Sequence, residues 1–225
     1  MCRMKTSTAS LAPFSRPLAR IIATVSIGFV VTQLDVTIVN IALANIGADL
    51  HASVARLQWI VDAYTLAFAV LMLSAGVLGD RLGTRRMYAA GIALFALASL
   101  ACGLAPDSTM LVAARALQGI GAAAMLPNSL ALLNQACGHD PKLRASAVGL
   151  WTAAGAISIA AGPVVGGMLI AAFGWRSIFL VNLPLCAAGL LATFAWVPAP
   201  QTASAAPSQR PRGFDLPGQW LESRR

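Results

Sequence analysis

Two ionisable side chains stand inside long apolar runs of this sequence. Asp35 lies in the run from about Ile21 to Ile46, and Arg115 lies in the run from about Met110 to Ala136. Because a charge in hydrocarbon is costly, such a residue must face protein, water or a partner, and it often binds ions or protons. Asp35 therefore has two interpretations: a structural pairing with a neighbouring helix, or a carboxylate that binds a proton or a cationic substrate group.

Further polar side chains accompany Asp35 in the first apolar run. Gln33, Thr37 and Asn40 share one helix face because they are spaced by four and three residues. Asp35 points to roughly the opposite side, and a helix that is polar on two sides is expected to be enclosed by other helices. The candidates for proton or substrate coupling are Asp35, Asn40, Arg115 and Gln118.

A short basic stretch, GVLGDRLGTRR at 76–86, separates two other apolar runs. Gly76 and Gly79 share a helix face and permit close approach of another helix, and Gly83 suits a tight turn that needs a positive φ. Asp80 falls at the C-terminal end of a helix, where the macrodipole disfavours an anion, so it needs a partner. A positive-inside loop explains the glycine turn and the arginines but not Asp80; the arginines are Arg81, Arg85 and Arg86.

The fifth apolar run contains a face of small residues. Four of them occupy a narrow sector of a helical wheel and predict a groove for another helix: Gly155, Ser158, Gly162 and Gly166. Pro163 removes a backbone hydrogen bond and kinks the helix. Such faces are common in membrane helices, but the Gly-Pro break beside Gly167 predicts a helix-packing seam that is tight or able to flex.

The composition indicates a membrane protein. Hydrophobic residues make up 58% of the 225-residue chain and charged residues only 11%, with a mean hydropathy of +0.73. A soluble domain of this size cannot bury so much apolar surface. The net charge is +8, and the basic residues cluster in the predicted loops and tails, as in membrane proteins. This distribution disfavours a nucleic-acid partner. The cysteines lack paired spacing, and His51 and His139 fall in separate predicted loops, so we expect no metal and no cofactor.

Six apolar runs are each long enough to cross a hydrocarbon core of about 30 Å as a helix. They predict an all-α membrane protein with a six-helix bundle at 21–197, an N-terminal segment at 1–20 and a Pro/Ala/Ser-rich tail at 198–225. A signal peptide is the alternative for the first run, but that run is long and carries polar residues. The runs cover about 21–46, 57–78, 87–105, 110–136, 145–172 and 175–197.

The basic residues predict the orientation of the bundle. With the N-terminus inside, thirteen of the sixteen lysines and arginines lie on the cytoplasmic side, and only Arg56 and Arg176 lie outside. Both termini are therefore expected in the cytoplasm. In this orientation Asp35 and Arg115 both lie in the outer half of their runs, separated in depth by no more than about one turn.

This similar depth predicts a contact. We expect Arg115 to pair with Asp35 or to hold the backbone of the first helix, and so to set the proton affinity of the carboxylate. The alternative is an arginine that snorkels to the interface and only anchors a helix end.

Three stretches resemble motifs of the major facilitator superfamily. GVLGDRLGTRR at 76–86 is similar to its loop signature between helices 2 and 3, and RALQGIGAA at 115–123 is similar to its fourth-helix arginine motif. AGPVVGG at 161–167 resembles the fifth-helix motif of its antiporter members. The three stretches occur in the order that the family has.

The first and last runs refine this resemblance. LDVTIVNIAL at 34–43 resembles the first-helix motif of the drug:proton antiporters, and QWIVDAYTL at 58–66 and WRSIFLVNLP at 175–184 resemble the branch with fourteen helices. One departure is Ala44, where that branch more often has proline, and it bears only on the shape of the first helix's end.

The resemblance implies the N-terminal six-helix half of a transporter whose two halves rock about a central cavity. It implies a role for Arg115 in proton coupling, and Asp35 as the carboxylate that takes a proton or substrate. The groove along 155–167 would face the other half. The gating loop would comprise Gly76, Asp80, Arg81, Gly83, Arg85 and Arg86.

The second half does not follow in this sequence. RGFDLPGQ at 212–219 resembles the start of the next helix in the fourteen-helix branch, but WLESRR follows instead of an apolar run. We expect a truncated frame or a fragment, with a natural short tail as the alternative.

The predicted function is proton-coupled efflux of small hydrophobic or cationic compounds, such as drugs, by alternating access in a bacterial inner membrane. The chain would act with a missing C-terminal half or with a second copy of itself. The alternative is a non-transporting membrane remnant. An intramembrane enzyme is disfavoured because no nucleophile-base pair or ligand cluster lies at membrane depth.

Overall fold

The computed structural model describes residues 14–198, and these residues form helices joined by short turns. The predictions for the first thirteen residues and for the tail from 199 lie outside the described part. Within it, the all-α prediction is confirmed. The helices are α1 (Arg16–Asp49), α2 (Val54–Leu82), α3 (Thr84–Gly103), α4 (Ser108–Cys137), α5 (Pro141–Phe173), α6 (Ser177–Leu180) and α7 (Asn182–Trp196).

These helices provide the membrane spans that the apolar runs predict. Across residues 14–198, six spans are long and apolar enough to cross a membrane, with α6 and α7 together forming the last, Ser177–Trp196. The bounds differ from the predicted runs: α1 begins at Arg16 rather than at residue 21 and ends at Asp49 rather than at residue 46, whereas α3 ends at Gly103 rather than at residue 105.

The turns between helices have local causes. Asp107 and Asp140 each accept two hydrogen bonds from the first backbone N–H groups of α4 and α5, which caps those helices. Gly83, between α2 and α3, has a φ of 100°, as the turn prediction required. The break between α6 and α7 precedes Pro184, which has no N–H to donate to the carbonyl of Leu180.

Two buried apolar clusters lie at opposite ends of the bundle. One surrounds Tyr88, Phe95 and Met125, and the other surrounds Ile46, Ile60 and Phe179. Helix α4 packs against α2 and α3, while α1 packs against α5 and α7. The middle of the bundle, where α1 and α4 also meet, is left for polar side chains.

The face of small residues on α5 packs within this bundle. Gly155, Gly162 and Gly166 are buried against Phe29, Thr37 and Ile38 of α1. The expectation that this groove faces the other half of a transporter is therefore wrong, because α1 occupies it. Pro163 and Gly167 are exposed and lie beside the seam rather than in it.

The crossing of α3 and α4 depends on two glycines. A methyl group on Gly121 would lie 2.8 Å from the backbone N of Phe95 and 3.0 Å from the carbonyl O of Gly91. Backbone atoms cannot rotate away as a flexible side chain can. The two helices therefore touch backbone to backbone, as small residues allow in membranes.

We predict that Gly121→Ala lowers the free energy of unfolding by about 1–3 kcal/mol, because the added methyl group forces α3 and α4 apart. Thermal unfolding in detergent measures the effect. Gly149→Ala is the matched control, since Gly149 also lies inside a helix but has open space around its added methyl group. Equal stability of both variants would contradict the backbone contact.

Candidate functional site

Asp35 and Arg115 form a buried ion pair in the middle of the bundle. Oδ2 of Asp35 lies 2.5 Å from Nη1 of Arg115, and each side chain is 1% exposed. The predicted contact is confirmed, and the alternative of a snorkelling arginine is wrong. Two opposite charges taken out of water in this way neutralise each other.

Arg115 is also held by groups on two other helices. Its Nε donates to the carbonyl O of Ile60 on α2 at 3.2 Å, so the backbone group that it binds belongs to α2, and its contact with the first helix is the pairing with Asp35. Its guanidinium lies 4.3 Å from the ring centroid of Tyr64 and 6.0 Å from that of Phe179. Both rings present a face with negative electrostatic potential to the cation. The arginine is thus fixed from several sides.

The carboxylate of Asp35 has two further donors. Gln118 Nε2 donates to Oδ1 at 2.9 Å, and Asn182 Nδ2 donates to the same oxygen at 3.1 Å. Both amides also lie near the hydroxyl of Ser99, at 2.8 Å and 3.4 Å. We call these five side chains the Asp35 network: Asp35, Ser99, Arg115, Gln118 and Asn182.

The Asp35 network joins helices α1, α3, α4 and α7, and Arg115 adds α2 through Ile60. Sequence reasoning placed Asp35, Arg115 and Gln118 together but missed Ser99 and Asn182. A serine in an apolar helix gives no distinctive signal. Asn182 did give one, because an amide within the sixth apolar run is as conspicuous as Asp35 in the first.

The chemistry that this network could support depends on the charge of the Asp35 carboxylate. An ionised carboxylate accepts up to four hydrogen bonds, and here it accepts from a cation and two amides. A proton on Asp35 would leave the Arg115 charge buried without a counter-ion, which favours rearrangement or entry of another anion. A proton bound at this site would therefore affect the contacts among five helices.

Asn40 lies away from the network. It is exposed, and its Nδ2 donates to the carbonyl O of Val36 at 2.9 Å. Thr37 similarly donates to the carbonyl O of Gln33 within α1. Within residues 14–198, other helices enclose the Asp35 side of α1 fully and the opposite polar side in part, since Thr37 packs against Gly162 of α5 while Asn40 is exposed. Asn40 faces outward from the bundle.

In the basic stretch at 76–86, the glycines pack against another helix and the aspartate is exposed. Gly79 packs against the Asn128 side chain of α4 and Gly76 packs near Pro127, as a close helix approach requires. Asp80 is exposed, and no ion pair among the described residues includes it. Together with neighbouring residues from five helix ends, Asp80 lines a cavity of about 580 Å³.

The arginines of this stretch differ in their surroundings. Arg85 Nη2 donates to the carbonyl O of Phe194 at 3.0 Å and its guanidinium lies 5.5 Å from that ring's centroid, which ties α3 to α7. Arg81 and Arg86 are exposed. Arg85 is therefore the arginine of the stretch that has a defined contact with another helix, at the exposed surface of the bundle.

A second ion pair lies at the opposite end of the bundle. Arg176 Nη1 is 2.8 Å from Oδ2 of Asp49, and Trp175 Nε1 donates to the same oxygen at 2.9 Å. Arg176 also donates to the carbonyl O of Ala105. The side chains of this pair are 40% and 50% exposed. Solvent screens this pair, unlike the pair in the network.

Known proteins share this sequence pattern and this fold. The Major Facilitator Superfamily model matches residues 25–224. A bacterial homologue of the human lysosomal transporter Spinster, solved in an inward-facing and unoccupied conformation, has the same fold with a TM-score of 0.59 at 17% sequence identity. The match covers 81% of this chain and 43% of that structure's chain.

Curated relatives are closer in sequence. The methylenomycin A resistance protein of Streptomyces coelicolor is 45% identical over 181 residues, which cover 80% of this chain and 38% of that protein. The multidrug resistance protein Stp of Mycobacterium tuberculosis is 44% identical over 204 residues, covering 91% of this chain and 36% of Stp. The chain thus spans well under half the length of these relatives.

We predict that Arg115→Met lowers the free energy of unfolding by about 3–5 kcal/mol, because it leaves the Asp35 carboxylate buried without its cation. Adding Asp35→Asn should restore most of that loss, since the remaining groups are neutral. Unfolding of the single and double variants in detergent gives the coupling between the two side chains.

Arg176→Met is the matched control, because it breaks an exposed pair with the same substitution. Its loss of stability should be much smaller than that of Arg115→Met. Additive effects of Asp35→Asn and Arg115→Met would contradict the buried pair.

Proposed function

The chain belongs to the major facilitator superfamily, and we propose that it forms the N-terminal half of a proton-coupled efflux transporter. Its substrates would be small hydrophobic or cationic compounds such as drugs. The observation that carries the proposal is the buried Asp35 carboxylate, which is held by Arg115 and two amides in the middle of the bundle. A carboxylate at membrane depth is the group that such coupling needs.

The relatives support the direction of transport. Two of the most similar curated proteins are named for resistance to methylenomycin A and to multiple drugs. Export of a toxic compound is a direct means of resistance for a membrane protein with this fold. We extend export, rather than uptake, to this chain on that basis.

The coupling follows from the charges in the network. When Asp35 is ionised, it neutralises Arg115 and holds α1 to α4. When it takes a proton, that attraction is lost and the bundle favours a different packing. A cationic substrate that competes with the proton for the carboxylate would be exchanged against it. Gln118 would orient the carboxylate, and Asn40 would contact substrate from the outward side of α1.

The stretch at 76–86 would act as the gating loop. It comprises the end of α2, the turn at Gly83 and the start of α3, where Arg85 donates a hydrogen bond to the carbonyl O of Phe194. Asp80 is exposed beside the cavity and is available to a partner from a second half. That second half would be a C-terminal half or another copy of this chain.

The protein is an integral membrane protein, with six spans in its described part. We place it in a bacterial inner membrane with both termini in the cytoplasm, on the basis of its basic residues and the bacterial relatives.

We predict that Asp35→Asn, made in a full-length transporter with both halves present, abolishes proton-dependent efflux while membrane insertion stays intact, because the amide cannot release or take up the proton. Efflux of a fluorescent cation from proteoliposomes under an imposed proton gradient measures this. Asp107→Asn is the control, since asparagine caps a helix about as well as aspartate and Asp107 lies at the exposed start of α4. Unchanged efflux in Asp35→Asn would contradict the role of Asp35.

The same assay tests whether the chain transports unaided. Gradient-dependent efflux by the unaltered chain would support a dimer of halves. Its absence in folded, inserted protein would contradict that dimer and favour the remnant or a requirement for a C-terminal half.

We predict that reporters fused to the two termini are both active on the cytoplasmic side. A reporter inserted at His51, in the turn between α1 and α2, is the control and should be active only on the opposite side. Termini on opposite sides would contradict the six-span topology.

A further inference from the structure

Asn182 has an amide that is only half satisfied. The residue is 1% exposed and begins α7, directly after the break that follows α6. Its Nδ2 donates to Asp35 and Ser99, but its Oδ1 is buried and accepts no hydrogen bond from any residue between 14 and 198. Buried polar atoms are rarely left without a partner, because the lost hydration is not replaced.

The orientation of this amide is dictated by the charge on Asp35. An ionised carboxylate has only acceptors, so an amide that touches it must present its N–H group. A protonated carboxyl group has an O–H that donates. A half-turn of the planar amide exchanges Oδ1 and Nδ2, and so presents the acceptor that the acid form needs.

We propose that Asn182 is a positioning residue whose amide turns over when Asp35 takes up a proton, an inference that rests on the proton site proposed above. With Asp35 ionised, Nδ2 donates to the carboxylate, as the structure has it. With Asp35 protonated, Oδ1 accepts from the Asp35 O–H and from the Ser99 hydroxyl. The unpaired oxygen of the first state thus gains partners in the second, in which Nδ2 takes the position that has no partner.

Gln118 cannot serve in the same way. Its Oε1 accepts from Arg115 Nη1 at 2.8 Å, and its Nε2 donates to both Asp35 and Ser99. Turning this amide would point its N–H group at the Arg115 cation. Asn182 is therefore the amide of the Asp35 network whose acceptor is open to the acid proton.

The surroundings direct the proton to Asp35. Four ionisable groups of the described residues lie around it on the neighbouring helices: Arg115 on α4, Tyr64 on α2, Cys102 on α3 and Cys186 on α7. Arg115 already carries its proton, and the neutral tyrosine and cysteine side chains already hold theirs. Asp35 is therefore the group among these that can take up a further proton. Helix α5 also packs on α1, but its ionisable residues, Lys142 and Arg144, lie at its exposed start.

The turned amide would make the hydrogen bonds at the start of α7 depend on whether Asp35 is protonated. Asn182 lies at the break in that span, where Pro184 leaves the carbonyl of Leu180 without its helical donor. When the amide turns, the hydrogen bonds from Asn182 to Asp35 on α1 and to Ser99 on α3 are replaced by hydrogen bonds in the opposite direction. Asn182 therefore links proton occupancy on α1 to the position of α7.

Infrared difference spectroscopy between alkaline and acidic pH tests this proposal on the full chain in lipid nanodiscs. The acid carbonyl band of Asp35 is identified by its loss in Asp35→Asn. Asparagine labelled with ¹³C at the side-chain carbonyl should show an amide band that changes together with it. In Asn182→Leu, we expect that amide change to be lost and the Asp35 carbonyl band to move to higher frequency, because the acid has lost its acceptor.

Asn128→Leu is the matched control. Asn128 is also buried, but it donates to the backbone oxygens of Ala75 and Ala124 rather than to the network, so both signals should stay unchanged. A merely structural role for Asn182 would leave the Asp35 carbonyl band in place.

Two results overturn the inference alone: an Asp35 band at the same frequency in Asn182→Leu, or labelled asparagine that does not respond to pH in the unaltered chain. The second measurement decides the matter if Asn182→Leu does not fold. Absence of any Asp35 acid band across the pH range would overturn the proposed proton site as well, which separates the two failures.

Discussion

A charge buried in hydrocarbon must be neutralised, and this requirement organises the middle of the bundle. Asp35 and Arg115 are each almost inaccessible, and they neutralise each other across α1 and α4. Neither charge could remain there without the other. The remaining polar groups of the network then satisfy the hydrogen bonds that the pair leaves open. In this part of the protein, charge pairing and hydrogen bonds add to the apolar packing that holds the helices together.

Apolar packing closes the two ends of the bundle. The cluster around Phe95 and the cluster around Ile46 lie on either side of the network and exclude water from it. Small residues let α3 and α4 touch backbone to backbone, and let side chains of α1 pack against the backbone of α5, where lipid provides little driving force for association. A low dielectric around the ion pair follows from this enclosure, and it makes the loss of either charge consequential.

Periodicity and depth sufficed to predict the spans and the contact between Asp35 and Arg115. They did not predict Asn182 or Ser99 as partners, because those contacts depend on the rotation and crossing angle of each helix, which a single sequence does not specify. The groove at Gly155, Gly162 and Gly166 was correctly predicted as a packing face but assigned to the wrong partner. Small residues indicate that a helix approaches closely, and they do not indicate which helix approaches.

Asp35 pairs with Arg115 in this structure, and in the function proposed here that pair would weaken when the carboxylate takes up a proton. Solid-state NMR of the chain in lipid bilayers, with ¹³C-labelled aspartate and ¹⁵N-labelled arginine, measures the separation of the Asp35 carboxyl carbon and the Arg115 guanidinium nitrogens. We expect a strong dipolar coupling at alkaline pH, as direct contact between the two groups requires, and a weaker coupling at acidic pH. Absence of the coupling at alkaline pH, or a coupling that does not change with pH, would contradict the account.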